Sequence, residues 1–386
     1  MTDGPAHASV GRILIVSDAW TPQVNGVVRT LVTVAGELRD MGHTVEVIGP
    51  DRFRTIPCPT YPDIRLSILP ARRLARLIEA FAPDALHIAT EGPLGMAARA
   101  WAKRRRYAFT TSFHTRFPEY IQARTGLPTG LAYAFLRRFH NDAAATMVAT
   151  RSLQEDLAAR GFTRLVRWSR GVDLSRFNPQ PRRDWAAEYG IARPIFLYVG
   201  RIAVEKNIEA FLALDLPGSK IVVGGGPQLA ALRARHPGVV FTGPFSEAEL
   251  AGAYAGGDVF VFPSRTDTFG LVVLEALACG VPVAAFDVTG PKDILADASG
   301  RVGAFGPDLR HSAIAALDAD RAACRAHAER FTWRACAEIF HGALVPLSAG
   351  RTVARDAQDR TPARTEGRDE RHQRQRDDHA SVDIGS

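Results

Sequence analysis

The stretch Phe262-Pro-Ser-Arg-Thr-Asp-Thr-Phe-Gly-Leu-Val-Val-Leu-Glu-Ala-Leu-Ala-Cys-Gly-Val-Pro-Val283 contains a complete strand–loop–helix–strand step. An apolar run from Val259 to Phe262 reads as a buried strand that ends in a polar loop. Gly270 then introduces a short helix, and a second strand starts after Gly280. Main-chain N–H groups at the start of such a helix form an anion site that the helix dipole reinforces. Asp267 and Glu275 flank that site. Two acids beside an anion site can hold the hydroxyls of whatever carries the anion. The pattern points to a phosphorylated, hydroxyl-rich ligand, most simply a nucleotide sugar.

The same alternation continues in both directions. Towards the N-terminus, Pro194–Val199, Lys220–Val223 and Val239–Phe241 read as strands, and Val281–Ala285 follows the quoted helix. In the first half Arg12–Val16, Thr44–Ile48, Ala85–Ile88, Ala108–Ser112 and Thr146–Ala149 read as strands. Helical segments over Val24–Met41, ended by Gly42, and over Leu131–Ala145 lie between them. Strands alternating with helices imply parallel α/β layers. The paired prolines and charges of Asn178–Arg183 read as a linker between two such units. Two units joined in this way leave a cleft at the carboxyl ends of their strands, where open α/β sheets bind ligands. Phe331–Val345 has helical apolar spacing, whereas residues 349–386 are so poor in apolar side chains that a disordered tail is expected.

The bulk numbers agree with two domains, since 386 residues exceed one typical core. No stretch approaches the roughly 20 apolar residues needed to cross a bilayer. The first residues have no basic segment followed by an apolar one, so no signal peptide is expected. Four scattered cysteines without a C-x-x-C pair favour reduced thiols and a cytoplasmic location. Residues 1–180 carry 24 basic and 15 acidic side chains, against 16 and 18 in residues 181–348. The two halves therefore face different partners, and the basic first half suits an anionic lipid surface. Arg72, Arg73, Arg76 and Lys103–Arg106 are its local concentrations. Without an aromatic-interleaved basic stripe, nucleic acid is not an expected partner.

Several candidate residues sit at strand tips. Gly200 ends a strand, Arg201 follows it, and Lys206 and Asn207 lie a few positions on. An arginine that binds two oxygens and a lysine acting as a point charge suit a diphosphate. If the bond from sugar to phosphate breaks, charge grows on the leaving diphosphate, and fixed cations there lower the barrier. Gly270 allows close backbone approach beside the N–H groups of Phe269, Leu271 and Val272. Asn25 and Gly26 fall at the N-cap of the first helix, another place fit to meet phosphate. His114 follows a strand and faces the cleft, and Glu91–Gly95 forms a loop on the same side. Gly224-Gly-Gly-Pro227 would let the backbone pass near a nucleotide base. No G-x-G-x-x-G opens the first helix, which disfavours a dehydrogenase, and no D-x-D triplet in strand context offers a divalent metal site.

These motifs, in this order, resemble the family-4 retaining glycosyltransferases, which have the GT-B fold. Asp267 and Glu275 match the family's E-x7-E element with Asp in the first position. Gly200, Arg201, Lys206 and Asn207 match G-R-x4-K-N; Asn25 and Gly26 match P-x-x-N-G-V; His114 matches S-x-H-T; Arg170–Asp173 with Phe177 and Pro179 match the domain-junction motif. The likeness spans roughly residues 11–345. It implies two Rossmann-like doubly wound domains around a cleft. Residues 11–175 would bind acceptor and be completed by a crossover helix at 331–345, and residues 184–330 would bind donor. The resemblance puts His114 and Asp267 at the transferred sugar. His114 there positions the sugar, stabilises positive charge through its carbonyl, or orients the acceptor. Glu275 would take the ribose hydroxyls, and Arg201 and Lys206 the diphosphate. The implied activity is retaining, metal-independent transfer of a hexose from a UDP- or GDP-sugar to a membrane lipid or saccharide acceptor. The enzyme would need no cofactor and would work in the cytoplasm or peripherally on the membrane's inner face. A nucleotide-sugar epimerase of the same fold and an inactive sugar- or lipid-binding relative are the alternative readings.

Overall fold

The computed structural model describes residues 10–348 except Val24, Pro59, Thr60, Leu127 and Gln180. The tail expected at 349–386 lies outside the described residues. The first lobe contains β1 (Arg12–Val16), β2 (Thr44–Ile48), β3 (Thr55–Cys58), β4 (Tyr61–Ser67), β5 (Ala85–Ile88), β6 (Thr110–Phe113), β7 (Ala145–Val148) and β8 (Leu165–Arg167). Six of these form one sheet in the order β2-β1-β5-β6-β7-β8, parallel throughout. The antiparallel hairpin β3–β4 stands apart from it. The second lobe contains β9 (Ile195–Val199), β10 (Ser219–Val223), β11 (Val240–Gly243), β12 (Val259–Phe262), β13 (Val283–Phe286) and β14 (Gly303–Gly306). Its sheet runs β11-β10-β9-β12-β13-β14, again all parallel.

Both sheets are covered on two faces, so their strands alternate between two cores. In β1, Ile13 and Ile15 enter one cluster and Leu14 and Val16 the other. In β9, Ile195, Leu197 and Val199 face one core while Phe196 and Tyr198 face the opposite one. The helix expected at 331–345 runs Trp333–Ala343, capped by the Thr332 side chain. It leaves the second lobe and buries Trp333, Cys336, Ala337 and Phe340 against the first-lobe core that includes Trp168 and the helix Gly26–Asp40. The crossover is therefore present as read.

Element ends moved where a neighbouring strand claimed residues. The helix expected over 131–145 runs Gly130–His140, because Ala145 already pairs with Thr110 in β7. The strand expected from Val281 begins at Val283, and the one from Ala108 runs Thr110–Phe113. Unanticipated elements include the edge strands β8 and β14, the hairpin β3–β4 and the helices Ala71–Phe81, Pro93–Arg105, Phe117–Thr125 and Arg151–Ala159.

Candidate active site

The strand orders locate a crevice before any side chain is considered. In the second sheet the chain winds outward in opposite directions from β9 and β12, so their carboxyl ends leave a gap at this switch point. The loop 200–207 follows β9 and the loop 263–270 follows β12. The first sheet has its own switch point between β1 and β5, opening at Ser17–Asp18 and Ala89–Glu91.

The two second-lobe loops are tied together. Asn207, in a left-handed conformation at φ 51°, donates its amide to Pro263 O at 3.0 Å. Ser264 and Thr266 hydroxyls lie 3.4 and 3.3 Å from Glu205 O. Lys206 Nζ sits 2.6 Å from Asp267 Oδ1, joining two residues that the sequence assigned to separate ligand groups. Burial pushes the Lys206 ammonium down, but Asp267, with Tyr198 and Glu205, more than offsets it and raises the pKa. Asp267 Oδ2 is buried with no partner among the described residues. That oxygen is an acceptor available to a ligand hydroxyl. Tyr198 donates its hydroxyl to Arg201 O at 2.8 Å and so fixes the main chain that presents the exposed Arg201.

Gly270 has φ +91°, and a Cβ there would come within 3.2 Å of Phe262 and 3.3 Å of Val273. Glycine is thus required by its own conformation and by packing. Phe269 beside it is buried. The helix Leu271–Ala278 follows, and the N–H groups of Leu271 and Val272 have no partner among the described residues. Glu275, one turn on, is 3 % exposed. Its Oε1 pairs with Arg29 from the first lobe and its Oε2 accepts from Tyr254 OH at 2.8 Å. A ribose reaching Glu275 therefore meets a carboxylate already engaged at both oxygens.

At two of the expected positions the structure shows which protein groups lie alongside. Asn25 does cap the helix Gly26–Asp40, but its Oδ1 accepts from Val27 N and Val28 N, both at 3.0 Å. The cap thus occupies the Val27 and Val28 amides, and Gly26 lies against Leu271, whose Cδ1 a Cβ would approach at 3.8 Å. Gly224 and Gly226 are required by the main chain beside them. A Cβ at Gly224 would fall 1.9 Å from Gly200 O, and one at Gly226 would fall 2.3 Å from Ile202 O. These glycines make room for the neighbouring loop that carries Arg201.

From the first lobe, His114 reaches the same crevice. Its carbonyl accepts the Thr268 hydroxyl at 2.6 Å, next to Asp267, so that oxygen is occupied. Its ring Nδ1 lies 3.3 Å from Arg170 Nη2, and its Nε2 is buried without a partner among the described residues. Burial first, and then the positive charge of Arg170, hold the imidazole well below its usual pKa. Further contacts cross between the lobes. Arg116 donates to Thr289 Oγ1 at 3.2 Å, and Ser152 donates its N–H to Asp293 Oδ1 at 2.8 Å. The Glu91 loop is bound into its own lobe, with Oε1 2.9 Å from His140 Nε2.

Sequence reasoning missed Arg29, Tyr254, Thr268 and Asp18. Asp18, at the first-lobe switch point, is 5 % exposed and accepts from Leu94 N, Gly95 N and Thr90 Oγ1 at 2.8, 3.2 and 2.9 Å. Burial lifts its carboxyl to about 6 despite those bonds. Its place directly after β1 was the available signal. Among the described residues, no group of three or more His, Cys, Asp or Glu side chains comes together as a metal cluster.

Two parallel-sheet lobes, a crevice between their strand ends and a returning C-terminal helix define the GT-B fold. The Glycosyltransferase Family 4 model matches residues 24–176, and the Glycosyl transferases group 1 model matches residues 193–317. A GDP-mannose-dependent alpha-mannosyltransferase of Mycobacterium tuberculosis is 35% identical over 74% of this chain and 81% of its own. A sulfoquinovosyl transferase of Arabidopsis thaliana is 34% identical over 77% and 66%. The chain belongs to glycosyltransferase family 4. Its fold also matches sucrose-phosphate synthase from Thermosynechococcus elongatus, with TM-score 0.63 and 19% identity over 90% of this chain and 98% of that one. Anabaena HepE in complex with UDP and glucose gives TM-score 0.59 at 15% identity over 90% and 100%.

Proposed function

We propose that this enzyme transfers a hexose from a UDP- or GDP-sugar to a lipid or lipid-linked saccharide, with retention of anomeric configuration and without a metal. The observation that carries the reading is the convergence of Lys206, Asp267, the open amides of Leu271 and Val272, and His114 at one switch-point crevice. Lys206, Arg201 and the helix N-terminus supply positive charge where the diphosphate leaves. Asp267 Oδ2 accepts a hydroxyl of the sugar. The leaving phosphate, on the face from which it departs, is the base for the acceptor hydroxyl.

GDP-mannose is the first donor to test, because two relatives named as GDP-mannose-dependent alpha-mannosyltransferases are each 35% identical to this chain. The lipid acceptor is supported by a relative named alpha-monoglucosyldiacylglycerol synthase, from Streptococcus pneumoniae, at 26% identity. It is also supported by one face of the helix Gly130–His140. Leu131 is 87% and Phe135 48% exposed, and Arg138 continues the same face one turn further. Lys103, near the end of that helix through Asp142, adds to its positive edge. Apolar side chains rimmed by cations suit the headgroup boundary of an anionic bilayer. No helix among the described residues is long and apolar enough to cross a membrane.

A panel of UDP- and GDP-sugars scored by thermal shift and by sugar transfer to lipid extracts tests the activity. The reading fails if no nucleotide sugar raises the unfolding temperature or is consumed. Sedimentation with phosphatidylglycerol vesicles tests the surface. Binding should weaken at high salt and in Leu131→Ser/Phe135→Ser, and an unchanged bound fraction in that variant refutes the assigned face.

A further inference from the structure

Arg170 is a buried cation that the transfer reading leaves without a task. It is 4 % exposed, and among the described residues no carboxylate pairs with it. Its Nη1 donates to Trp168 O and Ser169 O at 2.5 and 3.0 Å, and the guanidinium carbon lies 4.1 Å from the centre of a Trp168 ring. Trp168 is in turn held by its indole N–H, which donates to Cys336 O of the crossover helix at 3.1 Å. Gly171, the next residue, packs so closely on that helix that a Cβ would fall 2.4 Å from Trp333 N. The guanidinium is therefore set by the crossover, and its other terminal nitrogen, Nη2, lies 3.3 Å from His114 Nδ1.

A guanidinium can donate hydrogen bonds but cannot accept them. His114 Nδ1 must therefore present its lone pair to Arg170. A neutral imidazole with that lone pair carries its proton on Nε2. An imidazolium would instead set N–H against N–H and one positive charge against another. His114 Nε2 is buried and lacks a protein partner among the described residues, so the ring has a donor and nothing in its own lobe to receive it.

We propose that Arg170 is a positioning residue that holds His114 as the neutral Nε2–H tautomer, so that the ring donates one hydrogen bond to an oxygen of the bound sugar. The contact with sugar rests on the transfer reading above; the state of the ring does not. The titratable groups acting on the ring are Arg170, His87 and His140. His87 is held between Thr110 and Ser112 with its pKa drawn down to about 3, and His140 bonds to Thr111 and Glu91. The second lobe contributes the Thr268 hydroxyl, which meets the His114 carbonyl and leaves the ring alone. Burial is the larger cause of the neutral ring and Arg170 the next, so removing Arg170 should raise the ring's pKa while burial still opposes its charging.

Nitrogen-15 NMR of histidine-labelled full-length chain without ligand, from pH 5 to 8, tests the ring state directly. His114→Gln identifies the signal. The expected spectrum shows a neutral ring protonated on Nε2 that does not titrate through pH 6.5. A ring protonated on Nδ1, or a midpoint near 6.5 in the wild-type chain, overturns the proposal. In Arg170→Met the ring should become a tautomer mixture with a raised midpoint, kcat should fall roughly 10- to 100-fold with donor KM nearly unchanged, and a new acidic limb should appear in the kcat profile. Arg170→Lys, which keeps a donor and a charge, should recover part of both. A methionine variant with the wild-type pH profile and tautomer overturns the assignment. If that variant does not fold, the wild-type spectrum still decides. If no sugar is transferred at all, the spectrum separates failure of the ring assignment from failure of the transfer reading.

Discussion

Replacing Lys206 with alanine perturbs two properties at once, and the structure allows them to be separated. The Lys206 and Asp267 side chains are 25% and 16% exposed and 2.6 Å apart. Exposed pairs contribute about 0–1 kcal/mol, and breaking fully buried ones costs about 3–5 kcal/mol. This pair lies between, so Lys206→Ala should cost about 2 kcal/mol, chiefly by stranding the carboxylate. For a lobe of this size that lowers Tm by roughly 4–8 °C. Lys206→Ala/Asp267→Asn should recover most of that loss, because a neutral amide does not need the cation. Activity should respond differently. Loss of one fixed positive group at the departing diphosphate lowers kcat roughly 100- to 1000-fold, and the double variant should stay inactive. Release of GDP or UDP, followed beside calorimetric unfolding, reads both quantities. If Lys206→Ala turns over within tenfold of wild type, the cation does not act on the leaving group. If the double variant is no more stable than the single one, the stranded-carboxylate argument fails.

Arg29→Met should destabilise the chain by about 2 kcal/mol, because Glu275 at 4% side-chain exposure keeps only Tyr254 as a partner; Tyr254→Phe should cost about 1 kcal/mol, both checked by denaturant unfolding. Asp18, whose carboxyl is raised from 3.8 to about 6 in the folded chain, should make stability fall as pH rises from about 4 to 6, since the folded state holds its proton longer than the unfolded one. Asp18→Asn should flatten that slope, which amounts to about 3 kcal/mol at most, and an unchanged slope would remove Asp18 from the account. Phe340→Ala should cost about 3–5 kcal/mol by opening a cavity between the crossover helix and the first lobe, and should appear as loss of a single cooperative thermal transition.

The period-two and period-3.6 patterns made both parallel sheets legible, because strands buried on two faces leave long apolar runs such as Ile195–Val199. The hairpin β3–β4 was not legible, since Thr55–Ser67 mixes proline, charge and partly exposed side chains with no clean alternation. The loops that the structure ties together at the crevice were readable because they follow strand tips, at Gly200–Lys206 and at Asp267. It was unreadable where partners come from distant sequence. Arg29 meets Glu275 across 246 positions and Thr268 meets the His114 carbonyl across 154, separations that no local spacing encodes. The same limit explains the glycines at 224 and 226. Their composition marks close approach, but only topology shows that the close neighbour is the loop at 200–202.

The contacts across the crevice have a common character. Arg29 to Glu275, Thr268 to the His114 carbonyl, Arg116 to Thr289 and Ser152 to Asp293 are all hydrogen bonds or ion pairs, with Leu271 and Ala149 adding apolar contact between the lobes. Water can replace polar contacts at a net cost of roughly 1 kcal/mol each, whereas parting apolar surfaces costs in proportion to area. The crossover helix, by contrast, is anchored by Trp333, Cys336, Ala337 and Phe340 in the first-lobe core. The polar contacts across the crevice are therefore of the kind that water can replace, whereas those of the crossover helix are not.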